Sequence, residues 1–322
     1  MADDTWSPPG PGAVPAGFPP PAPGAWPGSP PGVWPGRPVS PPPSAPGPEQ
    51  AWAPPGPPPD PAPGYPPPGP VGRHVRPWWG LGDVLLSIPV IVFIATVGAV
   101  FGLPFISGAD RSAFFHGKLT ETPAPLLAAS LMAQQLTQGA WPFLVSKWKG
   151  LGPVSDWRLA IKPIDPLIGI GTALIAFALS AVAGGLMAHL VHLGNEADAD
   201  NTQFLVDAKG TPWLWVFLFS AVIGAPLVEE LYFRGLTLRA FEKRWGTVAA
   251  VIGSTVVFTL PHFQKAELAP TLVLFASIAS VGLVFALVAV NVKRLAPTIV
   301  AHMIFNAVGA ASALGAFHSL RS

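Results

Sequence analysis

Long apolar runs are the feature that most constrains how this chain folds. They cover Leu81–Ile106, Pro125–Val145, Pro166–Leu193, Trp213–Leu231, Thr247–Leu260, Thr271–Val292 and Pro297–Phe317. Most approach the roughly 20 residues that cross a bilayer as a helix. Only 11% of the residues are charged, whereas a soluble domain carries about 25%. The pattern therefore predicts an all-α, polytopic transmembrane bundle of about seven helices, between six and eight.

The chain also divides by composition. Residues 1–76 are rich in proline and glycine and hold few apolar residues, so we predict a disordered tail there, partly polyproline II. Residues 77–150 are predicted to form N-terminal transmembrane helices, and residues 151–318 a second helical part. Proline-rich segments are recognised by cytoplasmic modules, which makes such proteins possible partners of the tail.

Basic residues predict the orientation of the helices. Alternate links are rich in lysine and arginine: Arg73 and Arg76, then Lys147, Lys149, Arg158 and Lys162, then Arg234, Arg239, Lys243 and Arg244, then Lys293 and Arg294. Basic links face the cytoplasm, so the tail is predicted to be cytoplasmic. The cysteine-free composition, rich in alanine, glycine and proline, favours a bacterial plasma membrane. The net charge of +1 gives no reason to expect a nucleic-acid partner.

Two adjacent glutamates lie at the end of an apolar run. Glu230 and Arg234 are spaced i, i+4, so they can meet on one helix face as a structural ion pair. Glu229 is rotated by about 100° from Glu230 and keeps the freer carboxylate. A solvated pair at the interface explains the same residues equally well, so the segment alone does not settle a function.

Two later apolar helices each carry a histidine with an i, i+4 partner. The first pair is Phe258 and His262, and the second is His302 and Asn306. Taken singly, each pair is compatible with a solvated helix end or an interhelical hydrogen bond. Taken with Glu229, they indicate a hydrolytic site: Glu229 and His262 activate a water, and His302 and Asn306 donate to an oxyanion.

The three motifs, in this order within apolar helices, resemble those of the CPBP family, which includes the type II CAAX prenyl endopeptidases and the Abi-like bacteriocin-processing or immunity proteins. Glu229-Glu230…Arg234, Phe258…His262 and His302…Asn306 show no departure from the family pattern. The resemblance covers about residues 150–317. It implies an intramembrane endopeptidase, with Glu229, His262, His302 and Asn306 catalytic and with Glu230, Arg234 and Phe258 as structural support. Its substrate would be a peptide or a membrane protein.

Family members have also been described as metalloproteases, so a zinc site at Glu229, His262 and His302 is the alternative to a mechanism without a cofactor. The sequence lacks His-Glu-x-x-His, which would fix two ligands on one turn, so we favour the metal-free mechanism. Straight helices would hold His262 and His302 roughly 20 Å apart in depth. We therefore expect the helices to converge on a buried cavity that is open to the cytoplasm.

Two other functions remain possible from the sequence. The first is a non-catalytic membrane scaffold or an immunity-type protein that keeps the fold and binds a partner. The second is a transporter that uses the polar residues as a proton relay. A transporter of this kind is expected to show inverted repeats, and the sequence shows none.

Overall fold

The structure is a computed structural model, and it describes residues 77–119, 121–192, 202–263 and 268–316. The chain divides into Met1–Val71 and Gly72–Ser322, and only the second unit contains described residues. The tail predicted at residues 1–76 lies outside them. Within the described part every regular element is helical and there is no strand, so the predicted all-α bundle is confirmed.

Eleven α-helices follow in chain order through the described residues. They are α1 (Leu81–Ala99), α2 (Gly108–Phe115), α3 (Ala124–Lys149), α4 (Pro153–Asp156), α5 (Asp165–Leu190), α6 (Gln203–Asp207), α7 (Trp213–Phe219), α8 (Ala225–Glu229), α9 (Leu238–Thr259), α10 (Leu268–Val292) and α11 (Ala296–Ala313). Two π-helical segments, Ser220–Gly224 and Glu230–Thr237, join α7, α8 and α9 into one helical stretch. Short 3₁₀ turns extend α1 and α9.

Five helical stretches of the described part are long and apolar enough to cross a membrane: Leu81–Phe105, Asp165–Leu190, Trp213–His262, Leu268–Val292 and Ala296–Ala313. They make this an integral membrane protein. The α3 helix corresponds to the predicted run Pro125–Val145 and is equally long, but it is not among the five. Its glutamines at 134, 135 and 138 lower its apolar character.

The predicted runs Trp213–Leu231 and Thr247–Leu260 lie on one stretch that reverses direction at Gly246. This residue has φ 81° and ψ 178°, a conformation that only glycine adopts readily. After the reversal the chain packs back on itself, because the Ser254 hydroxyl donates to the carbonyl of Phe233 at 3.0 Å. Trp213–His262 therefore supplies two antiparallel helical rods, as the two separate runs predict.

The basic links meet at one end of the bundle, which we call the basic end. The contacts that join them are Lys149 to Asp83 at 2.6 Å, Lys243 to the carbonyl of Trp79 at 2.6 Å, and Arg294 to Asp165 at 2.6 Å. The opposite end, which we call the far end, holds α2, α6 and the start of α7, where the ring of Phe105 packs against Trp213. The alternation in the sequence thus corresponds to two chemically different ends.

Candidate active site

Glu229 lies between the two π-helical segments. It is the last residue of α8, with Ser220–Gly224 before this helix and Glu230–Thr237 after it. A π-helical turn holds more residues than an α-helical turn and occurs mostly as a bulge near functional sites. Each segment changes the direction in which the following side chains point. The local backbone around Glu229 is therefore unlike a regular transmembrane helix.

The ion pair expected between Glu230 and Arg234 is present. Nη1 of Arg234 donates to Oε1 of Glu230 at 2.8 Å, and both side chains are 0% exposed. Nη2 of Arg234 donates to the carbonyl of Gly282 at 3.1 Å, and its Cζ lies 4.2 Å from the centre of the Phe258 ring. A buried charge with this many partners fixes the packing of three helices.

Glu229 differs sharply from its neighbour. Its side chain is 19% exposed, and its Oε2 lies 3.8 Å from Nε2 of His302, beyond hydrogen-bond distance. Glu230, by contrast, is held by Arg234 and by Nδ1 of His302, which lies 3.1 Å from Oε1 of Glu230. The carboxylate of Glu230 is held by the surrounding structure, whereas that of Glu229 is partly exposed and lies beyond hydrogen-bond distance of His302.

His302 stands between the two glutamates. Because the carboxylate of Glu230 accepts from Arg234, the contact at Nδ1 of His302 is best made by an N–H donor. This bond fixes the orientation of the imidazole, as a carboxylate does for many catalytic histidines. The other nitrogen, Nε2, then faces Glu229. The buried ion pair therefore orients His302 so that its second nitrogen faces Glu229.

His262 reaches the same region from the end of α9. Its Nδ1 donates to the carbonyl of Phe258 at 3.0 Å, which leaves Nε2 of the neutral ring as an acceptor. This bond turns the ring back along its own helix. The rings of His262 and His302 lie 5.4 and 5.9 Å from that of Phe258. The two histidines are thus much closer than straight helices would hold them.

Asn306 has a partner that the sequence did not reveal. Its Nδ2 donates to the carbonyl of Ala221 at 2.7 Å, inside the first π-helical segment. A carboxamide has two N–H donors and an acceptor oxygen, so this bond leaves donor capacity for a ligand. Asn306 therefore stabilises the backbone that leads to Glu229 in addition to any catalytic contribution.

A cavity of about 620 Å³ brings all four predicted catalytic residues to one surface. Glu229, His262, His302 and Asn306 line it, together with polar groups from α3, α5 and α10. We expected this cavity at the cytoplasmic, basic side. Its lining residues instead lie mostly in the far-end halves of their helices, because large buried side chains fill the bundle between the ion pair and the basic end.

Sequence reasoning missed the contribution of α3. Nε2 of Gln135 donates to the hydroxyl of Ser220 at 2.7 Å, also in the first π-helical segment, and both Gln134 and Gln135 line the cavity. The available signal was the pair of amides within an apolar run, since polar side chains in membrane helices usually face a partner or a cavity.

The structure does not bring the three residues of the alternative metal site together as ligands. Glu229, His262 and His302 line one cavity, but within the described ranges no group of three His, Asp or Glu side chains is placed to hold a metal ion. We therefore derive no step through a metal. Whether the protein needs a cofactor stays a prediction of the sequence.

Fold and site together define an integral membrane protein. Its helices surround a cavity that is lined by a carboxylate, two histidines and an amide. Residues 211–308 match the family model described as type II CAAX prenyl endopeptidase Rce1-like. This match contains all three motifs, so the predicted resemblance is confirmed over residues 211–308. At the family level it supports a protease. Searches of the curated proteins and of the solved structures found no match.

Proposed function

We propose that this protein is an intramembrane endopeptidase that hydrolyses a peptide bond with Glu229 as general base. The observation that carries the proposal is the shared cavity, in which Glu229 is solvent-accessible while Glu230 is fully buried. A carboxylate that accepts protons must have a site for water, and only Glu229 of the pair has one.

The proposed reaction begins with a water held between Glu229 and Nε2 of His262. The carboxylate takes one proton from the water, and the oxygen attacks the carbonyl carbon of the scissile bond. The resulting oxyanion accepts hydrogen bonds from Asn306 and from Nε2–H of His302. When the tetrahedral intermediate collapses, the C–N bond breaks and the proton on Glu229 passes to the leaving amine. The products are a carboxylic acid and an amine.

The contacts that these residues make in the absence of substrate support the proposed roles. His302 is oriented by the Glu230–Arg234 pair, and Asn306 is anchored on Ala221. Pre-oriented donors lower the barrier because they need not reorganise as charge develops. The substrate is a peptide or a stretch of a membrane protein, and the bilayer is the medium in which the protein and substrate meet.

The test is cleavage of a peptide library by the full chain in detergent, followed by mass spectrometry. Wild type is expected to cleave, and Glu229→Gln to lose about 10²–10⁴-fold in rate, the usual contribution of a general base. Glu121→Gln, an exposed glutamate at the far end, is the matched control and keeps the wild-type rate. Cleavage that survives Glu229→Gln refutes the mechanism. A folded wild type that binds peptides but never cleaves them indicates the scaffold or immunity alternative instead.

A chelator in the same assay tests the metal alternative. Undiminished cleavage after dialysis against the chelator agrees with water activation by protein groups alone. Loss of cleavage that is restored by adding zinc would replace the proposed mechanism with metal-assisted hydrolysis at Glu229, His262 and His302.

A further inference from the structure

Among the described residues, the cavity lies nearer to one end of the bundle than to the other. On α3, which runs from the far end to the basic end, the lining residues fall between Leu127 and Gln135. On α10, which runs the same way, they fall between Val273 and Ile278. The lining of α11 starts at His302, about 9 Å above the start of this helix at 1.5 Å per residue. On α3 and α10 the cavity occupies the half nearer the far end, and on α11 it extends from about one third of the helix length towards the far end.

Glu229 and His302 form the floor of this cavity. Towards the basic end from them, the bundle is filled by fully buried side chains, which we call the seal: Trp157, Glu230, Arg234, Leu236, Phe258 and Phe285. The seal includes the buried ion pair and the aromatic rings on either side of Arg234. No residue of the basic end lines the cavity within the described part of the chain. The described side chains therefore leave more open space on the far-end side of Glu229 than on its basic-end side.

The two ends differ in charge. At the basic end lie Lys147, Lys149, Arg158, Lys162, Arg239, Lys243, Arg244, Lys293 and Arg294, together with the acidic residues Asp83, Asp156, Asp165 and Glu242. At the far end lie Arg111, Lys118 and Lys209, together with Asp110, Glu121 and Asp207. Short links enriched in lysine and arginine stay in the cytoplasm, and this bias sets the orientation of polytopic proteins. The far end is therefore the extracytoplasmic one.

From these observations we propose that the cavity opens to the extracytoplasmic side and that its substrates are polypeptide segments exposed on that side. That the cavity binds a substrate rests on the proposed function. The side to which it opens is inferred from the geometry of the cavity and the charges at the two ends. Segments in the cytoplasm, including the C-termini of cytoplasmic lipid-anchored proteins, have no route to Glu229 because the seal lies between them and the cavity.

The absence of cysteine from the sequence allows a clean accessibility test. Three serine-to-cysteine variants of the full chain report on three places. Ser277→Cys lies in the cavity wall, Ser112→Cys on exposed α2 at the far end, and Ser155→Cys on the exposed surface of the basic end. Ser180→Cys, also in the cavity wall, replaces Ser277→Cys if the latter fails to accumulate in membranes.

Each variant is treated with a small charged methanethiosulfonate that does not cross membranes, first in spheroplasts and then in inverted vesicles. Free thiols are afterwards counted in SDS by the gel shift with polyethylene glycol maleimide. We expect Ser112→Cys and Ser277→Cys to lose the shift in spheroplasts and to keep it in inverted vesicles. Ser155→Cys is expected to show the reverse pattern.

Three results would overturn the inference. If Ser277→Cys follows Ser155→Cys, the cavity opens to the basic end. If it is protected in both preparations, while its thiol still reacts in SDS, water does not reach the cavity. If Ser155→Cys reacts in spheroplasts, the chain has the opposite orientation and the substrates are cytoplasmic. None of these readouts needs cleavage, so a failure of the catalytic proposal is recognised separately by the peptide assay.

Discussion

Replacing each of the adjacent glutamates with glutamine separates structural from chemical roles. In Glu230→Gln, Arg234 keeps its bond to the carbonyl of Gly282 and its contact with Phe258, and the new amide oxygen still accepts a hydrogen bond. What is lost is the negative charge that neutralises a guanidinium with no exposure to solvent. Breaking a buried ion pair costs about 3–5 kcal/mol, and the retained contacts favour the lower value.

This cost translates into a measurable melting shift. For a chain of this size 1 kcal/mol changes Tm by about 2–4 °C, so Glu230→Gln is expected to melt roughly 6–12 °C below wild type. Glu229→Gln removes no buried partner, and its effect should stay within about 0.5 kcal/mol, or roughly 1–2 °C. The assay is thermal unfolding in detergent followed by intrinsic tryptophan fluorescence. Equal shifts for the two variants would refute the division of roles between the glutamates.

A double variant sharpens this test. Glu230→Gln with Arg234→Met removes both charges and keeps a side chain of similar length, and replacing a buried ion pair with neutral groups is often close to neutral. We expect its Tm to lie well above that of Glu230→Gln, near wild type. A double variant that is less stable than either single one would mean that Arg234 stabilises the bundle through contacts other than the ion pair.

Three further changes test other parts of the molecule. His262→Ala is expected to lower the cleavage rate by about 10²-fold or more with little change in Tm, because its ring acts on water in the cavity; unchanged cleavage would remove it from the site. Gln135→Leu breaks the hydrogen bond to Ser220, so it should lower the free energy of unfolding by about 1 kcal/mol and also reduce the cleavage rate. A loss of stability with an unchanged cleavage rate would mean that Gln135 has a structural role alone. Gly102→Ala places a Cβ against the backbone oxygen of Pro125 in α3 and should cost about 1–3 kcal/mol. Gly171→Ala, with open space around it, should be neutral or stabilising by up to about 1 kcal/mol.

Features that depend on neighbouring residues could be predicted from the spacing of residues in the sequence. The i, i+4 separation of Glu230 and Arg234 implied a contact, and the ion pair forms although the backbone there is π-helical. The apolar runs implied helices, and the break between two of them falls at Gly246, where the positive φ suits glycine. These features depend on residues within one or two turns of each other, so one sequence contains the information.

The convergence of the site depended on interactions that are distant in the sequence. His302 on α11 contacts the ring of Phe258 on α9, which already neighbours His262 one turn away, so the two histidines converge through packing between helices that are far apart in the sequence. The position of the cavity depends on which part of the bundle is filled by large side chains such as Phe285 and Trp157. Neither spacing nor periodicity reports how tightly two helices pack, and the side to which the cavity opens stays a prediction.

The one-sided filling of the bundle also bears on how well the protein insulates the membrane. The layer around Arg234 and Phe285 separates the cavity from the basic end within the described residues. Its buried charges cancel, because the guanidinium of Arg234 is paired with the carboxylate of Glu230, and aromatic rings flank the pair. An ion entering this layer would lose its hydration and find no net countercharge, so the side chains that hold Glu230 in place are also expected to keep ion leakage through the protein low.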